Sequence, residues 1–195
     1  MSGIVQCFWM EPTEFCEVQL RRFTFEKDKK CRSSSYGGGH NASIVILEKA
    51  LRSAWIEDAP EGYERNRDDL VSQEDPRWPA TCDQCGEPFQ VDDDWQVNCY
   101  TLYSGAPDGK LYPHRRAPAG AMWNARWWPA DNPDGITLMV MLPDGCDWMV
   151  DDGRWTRTGD PRKPETLTVR ASIRSPRYHG FLTEGRLEPC GDSQT

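Results

Sequence analysis

The sequence predicts a mainly β fold (α+β possible), as a single antiparallel domain that is rich in tryptophan and in loops. One or two short helices and a zinc knuckle complete the prediction. Leu, Ile, Val and Phe supply only 32 of the 195 residues, while nine Trp, six Tyr and six Met supply much of the remaining apolar bulk. Sixteen Gly and fifteen Pro favour a turn-dense chain over a helical bundle.

We expect residues 1–190 to form this one domain and residues 191–195 to form a tail. Within it, residues 1–55 hold a strand and a short helix, and residues 56–80 form an acidic connector. Residues 81–190 hold the knuckle and a series of β-hairpins.

The first 55 residues show two apolar patterns. Alternation from Cys16 to Phe25 predicts a strand, with a bulge where the phase slips at Arg21-Arg22. The spacing of Ile44, Leu47, Leu51 and Trp55 is close to helical. Because Ile44-Val45-Ile46 prefers a strand, we restrict the predicted helix to about residues 47–55.

The later part of the chain alternates between apolar and polar residues. This pattern predicts strands over residues 95–103 and 167–173. It also predicts two hairpins, one turning at Pro143-Asp144-Gly145 and the other at Glu184-Gly185.

The net charge of −8 is concentrated in one segment. Residues 56–95 carry 13 acidic and 3 basic side chains. Such a block is either a solvated connector or a surface that contacts a basic protein partner. No region carries the basic stripe that direct nucleic-acid binding requires, so we do not expect that activity.

The longest apolar run, residues 136–142, is far shorter than the roughly 20 residues that cross a bilayer. The first residues lack the basic and apolar regions of a secretory signal, so we expect a cytoplasmic protein with reduced thiols.

The most specific chemical motif is Cys82-Asp83-Gln84-Cys85-Gly86. Two thiolates with this spacing can bind one tetrahedral Zn²⁺, and Gly86 eases the turn after the second cysteine. The motif therefore predicts a structural zinc knuckle, with paired buried thiols as the alternative. A thioredoxin-type redox role is disfavoured because Gly86 and Pro88 prevent the helix that such a motif opens in those proteins.

The knuckle needs two further ligands. Cys99 and Cys146 fall on the apolar faces of predicted strands and are expected in the core. Cys31 and His40, which flank a glycine-rich loop, and His179, beside a tight turn, remain as candidates, with Cys7 as a further alternative.

Several strings, in order, resemble an uncharacterised family of hypothetical proteins encoded by bacteriophages and prophages. They are Val5-Gln6-Cys7-Phe8-Trp9-Met10-Glu11-Pro12, Leu20-Arg21-Arg22-Phe23, Lys30-Cys31 with His40-Asn41-Ala42, Cys82-Asp83-Gln84-Cys85-Gly86, Ala119-Gly120-Ala121-Met122-Trp123 and Tyr178-His179-Gly180-Phe181-Leu182. The resemblance covers most of the chain outside the acidic connector. It implies a phage origin and a place in the host cytoplasm or the virion, and it implies no activity.

The early Cys-x-x-Cys-Gly together with Ser172-Ile173 and the later His179 is also similar to a second small, uncharacterised zinc-binding family. This likeness favours His179 as third ligand. The predicted ligand set is therefore Cys82, Cys85, His179 and Cys31, with His40 or Cys7 as alternatives to Cys31.

Trp123, Trp127 and Trp128 form the densest aromatic cluster, which we expect in the core and not at a sugar- or base-binding surface. The chain has three His and none of the common hydrolase motifs, and we assign no catalytic residue. A small hydrolase or carbohydrate-binding enzyme that uses the Trp cluster and a carboxylate pair stays an alternative.

The function expected from these observations is that of a zinc-stabilised, non-enzymatic phage protein. It would bind a protein partner through the acidic segment 56–95, as an inhibitor of a host factor or defence system or as an accessory protein. A structural component of the virion is the alternative.

Overall fold

The computed structural model describes residues 3–24, 31, 39–51, 65–66, 71–128, 132–151, 153 and 156–191. The predicted mainly β, antiparallel fold is confirmed. The strands are β1 (Val5–Gln6), β2 (Phe8–Trp9), β3 (Glu11–Phe23), β4 (Asn41–Leu51), β5 (Arg65–Asn66), β6 (Asp94–Ser104), β7 (Tyr112–Pro113), β8 (Ala121–Asn124), β9 (Leu138–Met141), β10 (Asp147–Met149), β11 (Thr156–Thr158), β12 (Thr168–Arg174), β13 (His179–Thr183) and β14 (Arg186–Pro189).

The chain divides into two compact units. One holds the described residues up to Thr13 and those from Leu102 onward, and the other holds the described residues from Glu14 to Thr101. The prediction of one domain over residues 1–190 stays a prediction. Of the predicted connector 56–80, only residues 65–66 and 71–80 are described, and of the predicted tail only Gly191 is.

The first unit contains two sheets. One has the strand order β1-β14-β13-β12-β11, and the other has the order β10-β9-β8-β2 with β2 and β8 parallel. The largest buried cluster includes Ile136, Leu138, Leu167 and Leu182, which come from both sheets or the segments beside them. Apolar side chains on one face of each strand explain this burial.

Both predicted hairpins are present. β9 pairs with β10 across the turn at Pro143-Asp144-Gly145, where Met141 lies opposite Asp147. β13 pairs with β14 across Glu184-Gly185, whose φ angles are 48° and 70°. Two successive positive φ angles are typical of the type I′ turn, whose twist suits a two-residue hairpin.

The second unit is built on the sheet ordered β4-β3-β6-β5. The end of β6, from Leu102, belongs to the first unit, where β7 pairs with it. Its buried cluster is small. It consists of Cys16, Val18, Leu20, Val71, Trp78, Val97 and Cys99. Cys99 is thus in a core, as the alternation predicted, whereas Cys146 in the first unit is half-buried.

The helix predicted over residues 47–55 is wrong where the structure describes it. Residues up to Leu51 continue strand β4, and the rest of the predicted helix lies outside the described residues. The β-branched run at Ile44 extends the strand, and pairing with β3 satisfies its backbone. The β3–β4 register shifts between Cys16 and Gln19, not at Arg21-Arg22, so the bulge lies earlier than predicted.

Helical structure among the described residues is limited to two 3₁₀ turns, His114–Arg116 and Pro164–Thr166. Short 3₁₀ turns commonly serve as connectors between other elements, and both of these lie between strands. Within the described part of the chain, no helix has the length and apolar character that crossing a bilayer requires.

Arg157 on β11 forms ion pairs with two acidic residues of the first unit. Its guanidinium contacts Asp134 at 2.8 Å and Asp151 at 2.9 Å, and its side chain is only 10% exposed. Asp151 also accepts the backbone N–H of Leu138 at the start of β9. The Arg157 side chain, through its hydrogen bond, holds the pKa of Asp134 below its usual range.

We predict that Arg157→Met lowers the free energy of unfolding by about 3–5 kcal/mol, because it leaves Asp151 buried without its cation. Urea unfolding followed by Trp fluorescence at pH 7 measures this. Adding Asp151→Asn, which removes the charge and keeps an acceptor, should restore part of the loss. The exposed Arg162→Met serves as the control, and an equal loss there would contradict the account.

Candidate metal centre

Four side chains that are metal ligands in other proteins converge in the second unit. The ligand atoms of Cys31, His40, Cys82 and Cys85 all lie within 4.8 Å of one another. Cys82 and His40 are 3% and 6% exposed, Cys31 is half-buried, and Cys85 is exposed. Three thiols and one imidazole form one of the common ligand sets of structural zinc.

The knuckle supplies Cys82 and Cys85 from one tight turn. Thr81 pairs with Pro88 in an antiparallel bridge. Inside it, the Cys82 N–H donates to the Glu87 carbonyl at 2.8 Å, and the Gly86 N–H donates to the Cys82 carbonyl at 3.0 Å. Gly86 has a φ of 74°, which glycine adopts without strain. The turn therefore directs both sulfur atoms to the same side.

The connection between β3 and β4 supplies Cys31 and His40. Thr24, one residue past β3, fixes His40 twice: its N–H donates to the His40 carbonyl, and its Oγ1 accepts the His40 N–H, both at 2.9 Å. Gly39 lets the chains approach, since a Cβ there would lie 2.1 Å from the Thr24 carbonyl oxygen. The Gly39 N–H in turn donates to the Cys31 carbonyl at 3.3 Å.

Asp83 joins the knuckle to strand β4. Its N–H donates to the Asn41 carbonyl at 3.1 Å, and its Oδ2 accepts the Ser43 N–H at 3.3 Å. The backbone N–H and C=O of His40 bond toward β3. Because these groups alternate along a strand, the backbone N–H and C=O of Asn41 and Ser43 point to the other edge of β4. Asp83 therefore covers the start of that edge and places the knuckle beside His40.

The distances match a tetrahedron around an ion. With Zn–S bonds of about 2.3 Å, two sulfur ligands lie about 3.8 Å apart, and a sulfur and a nitrogen ligand about 3.5 Å apart. Cys31 Sγ and Cys82 Sγ are 3.7 Å apart, and Cys85 Sγ lies 3.2 Å from His40 Nδ1. The sulfur separation is far from a disulfide bond of roughly 2.05 Å, and all four residues could hold one metal ion.

The surroundings of the Cys82 sulfur favour its negatively charged thiolate form. Burial works to raise the pKa of this thiol, but backbone N–H groups of Cys85 and Gln84 donate hydrogen bonds to the sulfur. The Asn41 backbone and the His40 side chain contribute in the same direction, and the pKa falls from 9.0 to about 5. A thiolate, not a thiol, binds metal, so this environment favours metal binding at neutral pH.

The orientation of the His40 ring is also that of a ligand. Its Nδ1 faces the Cys85 sulfur, whereas its Nε2 is buried and has no hydrogen-bond partner among the described groups. Metal-bound histidines usually donate the second ring N–H to a carbonyl, carboxylate or water, and His40 differs in that its Nε2 has no such partner among the described groups. In this geometry the nitrogen near the sulfur is the one available for a metal.

Of the four ligands favoured from sequence, the structure brings together Cys31, Cys82 and Cys85, and it does not bring His179 to them. His179 opens β13 in the first unit, where it pairs with Arg174 and its carbonyl accepts the Cys190 N–H at 2.7 Å. His40 lies in the cluster instead. Cys7, the other alternative, is in the core of the first unit, and burial raises the pKa of its thiol to about 12.

His40 could have been selected from the sequence by one local signal. Cys31 and His40 occupy the same connection, so two paired strands on either side must bring them close. The helical interpretation of residues 47–55 obscured that hairpin. The glycine run just before His40 is the second part of the signal, because Gly39 permits the close approach to Thr24.

The predicted Trp cluster is divided between core and surface. Trp123 is fully buried, and its ring and that of Trp127 both pack against His114, at 5.8 and 5.0 Å between centroids. Trp128 is 54% exposed. The expectation of a core role is therefore met by Trp123 and in part by Trp127, but Trp128 lies at the surface.

No protein-family model matches the chain, and no match is found among the curated proteins or the solved structures. The function of this chain is therefore inferred from its own residues. The four-residue cluster is the feature with the most defined chemistry among them.

We predict that His40→Ala loses the bound zinc ion and His179→Ala keeps it. Native mass spectrometry of chelator-free protein gives the stoichiometry. Without the ion, the melting temperature should fall on the order of 10 °C or more, since binding energy at such sites is folding energy. His40→Cys, which retains four donors, should keep the ion. Zinc lost from the His179 variant and retained by His40→Ala would contradict the assignment.

Proposed function

We propose that this chain is a zinc-stabilised, non-enzymatic binding protein of bacteriophage origin. It acts in the host cytoplasm and contacts a basic surface of a protein partner through the acidic segment 56–95. The resemblance of several segments to phage-encoded proteins supports the origin. The metal cluster and the described part of the acidic segment support the mode of action.

The metal in this proposal is structural. Four protein ligands, three Cys and one His, complete a tetrahedral shell and leave no open position for a substrate. The ion would connect two chain segments whose ligands lie far apart in sequence, Cys31 and His40 on one side and the knuckle on the other. Such a connection restricts the unfolded chain and offsets the small core of this unit.

The observation that carries the binding proposal is one highly exposed apolar side chain with exposed acidic residues close to it in sequence. Val91 is 90% exposed. Glu87, Asp92 and Asp94 lie close to it in sequence, are exposed, and have no ion pair within the described part of the chain. We name these four residues the Val91 surface.

Among the described residues, two other acidic residues of the same segment already have bonding partners, unlike the three acidic residues of the Val91 surface. Asp75 forms an ion pair with Arg77 at 2.8 Å, and Asp93 accepts the Gln90 N–H at 2.6 Å. The charges that remain unpaired can steer a basic partner and select against acidic ones. Val91 can supply the apolar contact that such an interface needs at its centre. Of the remaining acidic residues, Glu74 is exposed and Asp83 bonds to strand β4, while those at 57, 58, 61, 64, 68 and 69 lie outside the described residues.

We predict that reversing Glu87, Asp92 and Asp94 to Lys abolishes partner binding without changing the melting temperature. The immobilised chain is exposed to bacterial lysate at about 150 mM salt, where the screening length is about 8 Å, and retained proteins are identified by mass spectrometry. Affinity for the purified partner is then measured by calorimetry. Val91→Ser alone should weaken it about tenfold, as expected for an interface anchor of roughly 1.4 kcal/mol.

A triple reversal of Glu14, Glu48 and Glu165 is the matched control. These acids are exposed, lie outside segment 56–95, and change the net charge by the same amount. The control should retain the same basic proteins as the unaltered chain. Identical retention by both triple variants, or retention of no specific protein by the unaltered chain, would contradict the proposed surface.

A further inference from the structure

The four side chains of the metal cluster differ in their exposure to solvent, and this difference decides which of them can react with small molecules. Cys85 is exposed, whereas Cys82 is 3% exposed and His40 6% exposed. A structural zinc site that serves only stability is best protected when every sulfur is covered. Here one cysteine is open to small molecules in solution.

We propose that the cluster is a peroxide-sensitive switch, in which oxidation of Cys85 by a hydroperoxide joins it to Cys82 and releases the metal. The inference rests on the zinc ion of the proposed function. It assigns to the site a regulatory role in addition to the structural one.

The chemistry needs one peroxide and two thiolates. The Cys85 sulfur attacks one peroxide oxygen, so an S–O bond forms, the O–O bond breaks, and hydroxide leaves. The Cys82 thiolate then attacks the Cys85 sulfur, so an S–S bond forms and the S–O bond breaks with loss of a second hydroxide. The two sulfurs together lose two electrons, and the peroxide gains them.

Geometry favours Cys82 as the second thiol. The Cys31 and Cys82 sulfurs both lie within 4.8 Å of the Cys85 sulfur, but only Cys82 shares a turn with Cys85, and the Gly86 N–H to Cys82 carbonyl bond closes that turn. The zinc ion would then keep only Cys31 and His40. Two ligands do not hold Zn²⁺ against water as four do, so the ion leaves.

Metal release would be transmitted to strand β4 through Asp83. Asp83 lies between the two cysteines and covers the β4 edge through Asn41 and Ser43. A disulfide between positions 82 and 85 changes the turn that presents Asp83. Beyond the residues that Asp83 covers, β4 exposes Ile44, Leu47 and Leu51, which are 47%, 38% and 51% exposed. Opening the knuckle would thus break the hydrogen bonds that Asp83 makes with the Asn41 carbonyl and the Ser43 N–H, and the uncovered edge would then extend to the start of a strand that already exposes apolar side chains. Such an edge is prone to pair with another chain.

The test begins with the zinc-loaded full chain. Hydrogen peroxide is added, and released zinc is followed with a chromogenic chelator. One equivalent should be released, tryptic peptide 78–110 should lose the mass of two hydrogens, and Cys31 should stay open to alkylation. Amide exchange at Ser43 and Asp83 should accelerate at the same time. Dithiothreitol followed by zinc should reverse the zinc release, the mass loss and the faster amide exchange.

Cys85→His is the matched control, because it keeps four donors and removes the exposed thiolate. It should bind zinc and release it at least about tenfold more slowly, since imidazole is not oxidised by this route. A second measurement needs no variant: dimedone added at early times should label the sulfenic acid at Cys85 before it labels Cys31.

Several outcomes would overturn the switch. Zinc release at the same rate from Cys85→His, labelling of Cys31 first, or a disulfide between Cys31 and either knuckle cysteine would each do so. A zinc-loaded chain that keeps its ion in peroxide would refute the switch alone. A chain purified without any metal would refute the zinc ion of the proposed function as well, while the Val91 surface would still be tested separately by its charge reversals.

Discussion

The convergence of three sulfur atoms and one imidazole nitrogen is the constraint on which the second unit depends. Its buried cluster contains few large aliphatic side chains, so apolar burial alone gives it little stability. Close thiolates repel one another, and the lowered pKa of Cys82 favours a thiolate at neutral pH. A bound divalent cation would convert this repulsion into attraction, and the hydrogen bonds of Thr24 and Asp83 and the close approach at Gly39 position the four side chains that could hold it.

The residues around the metal cluster also contact the exposed edge of strand β4 and lead into the Val91 surface. Asp83 belongs to the knuckle, yet its hydrogen bonds cover the edge of β4, so the state of the cluster and the state of that edge are linked. The knuckle also leads along the chain directly into the Val91 surface. In the proposal, one metal ion orders both an edge strand and the start of a binding surface.

Much of the fold was predictable because local signals were strong. Pro143-Asp144-Gly145 and Glu184-Gly185 carry turn chemistry that determines a hairpin, and alternating residues extend it on both sides. The region 41–51 was harder, because Ile44, Leu47 and Leu51 fit a helical spacing when the β3–β4 register shift is unknown. Cys82 and Cys85 were predictable from their spacing. His40 depended on recognising the β3–β4 hairpin, and a single sequence did not rank it above His179.

X-ray absorption at the zinc edge tests the central claim most directly. The measurement is made on the full chain, purified without chelator at neutral pH. We predict one zinc ion per chain with three sulfur neighbours at about 2.3 Å and one nitrogen neighbour at about 2.0 Å, and replacement of the nitrogen neighbour by a fourth sulfur in His40→Cys. A folded chain without zinc, or a shell unchanged by that substitution, would contradict it.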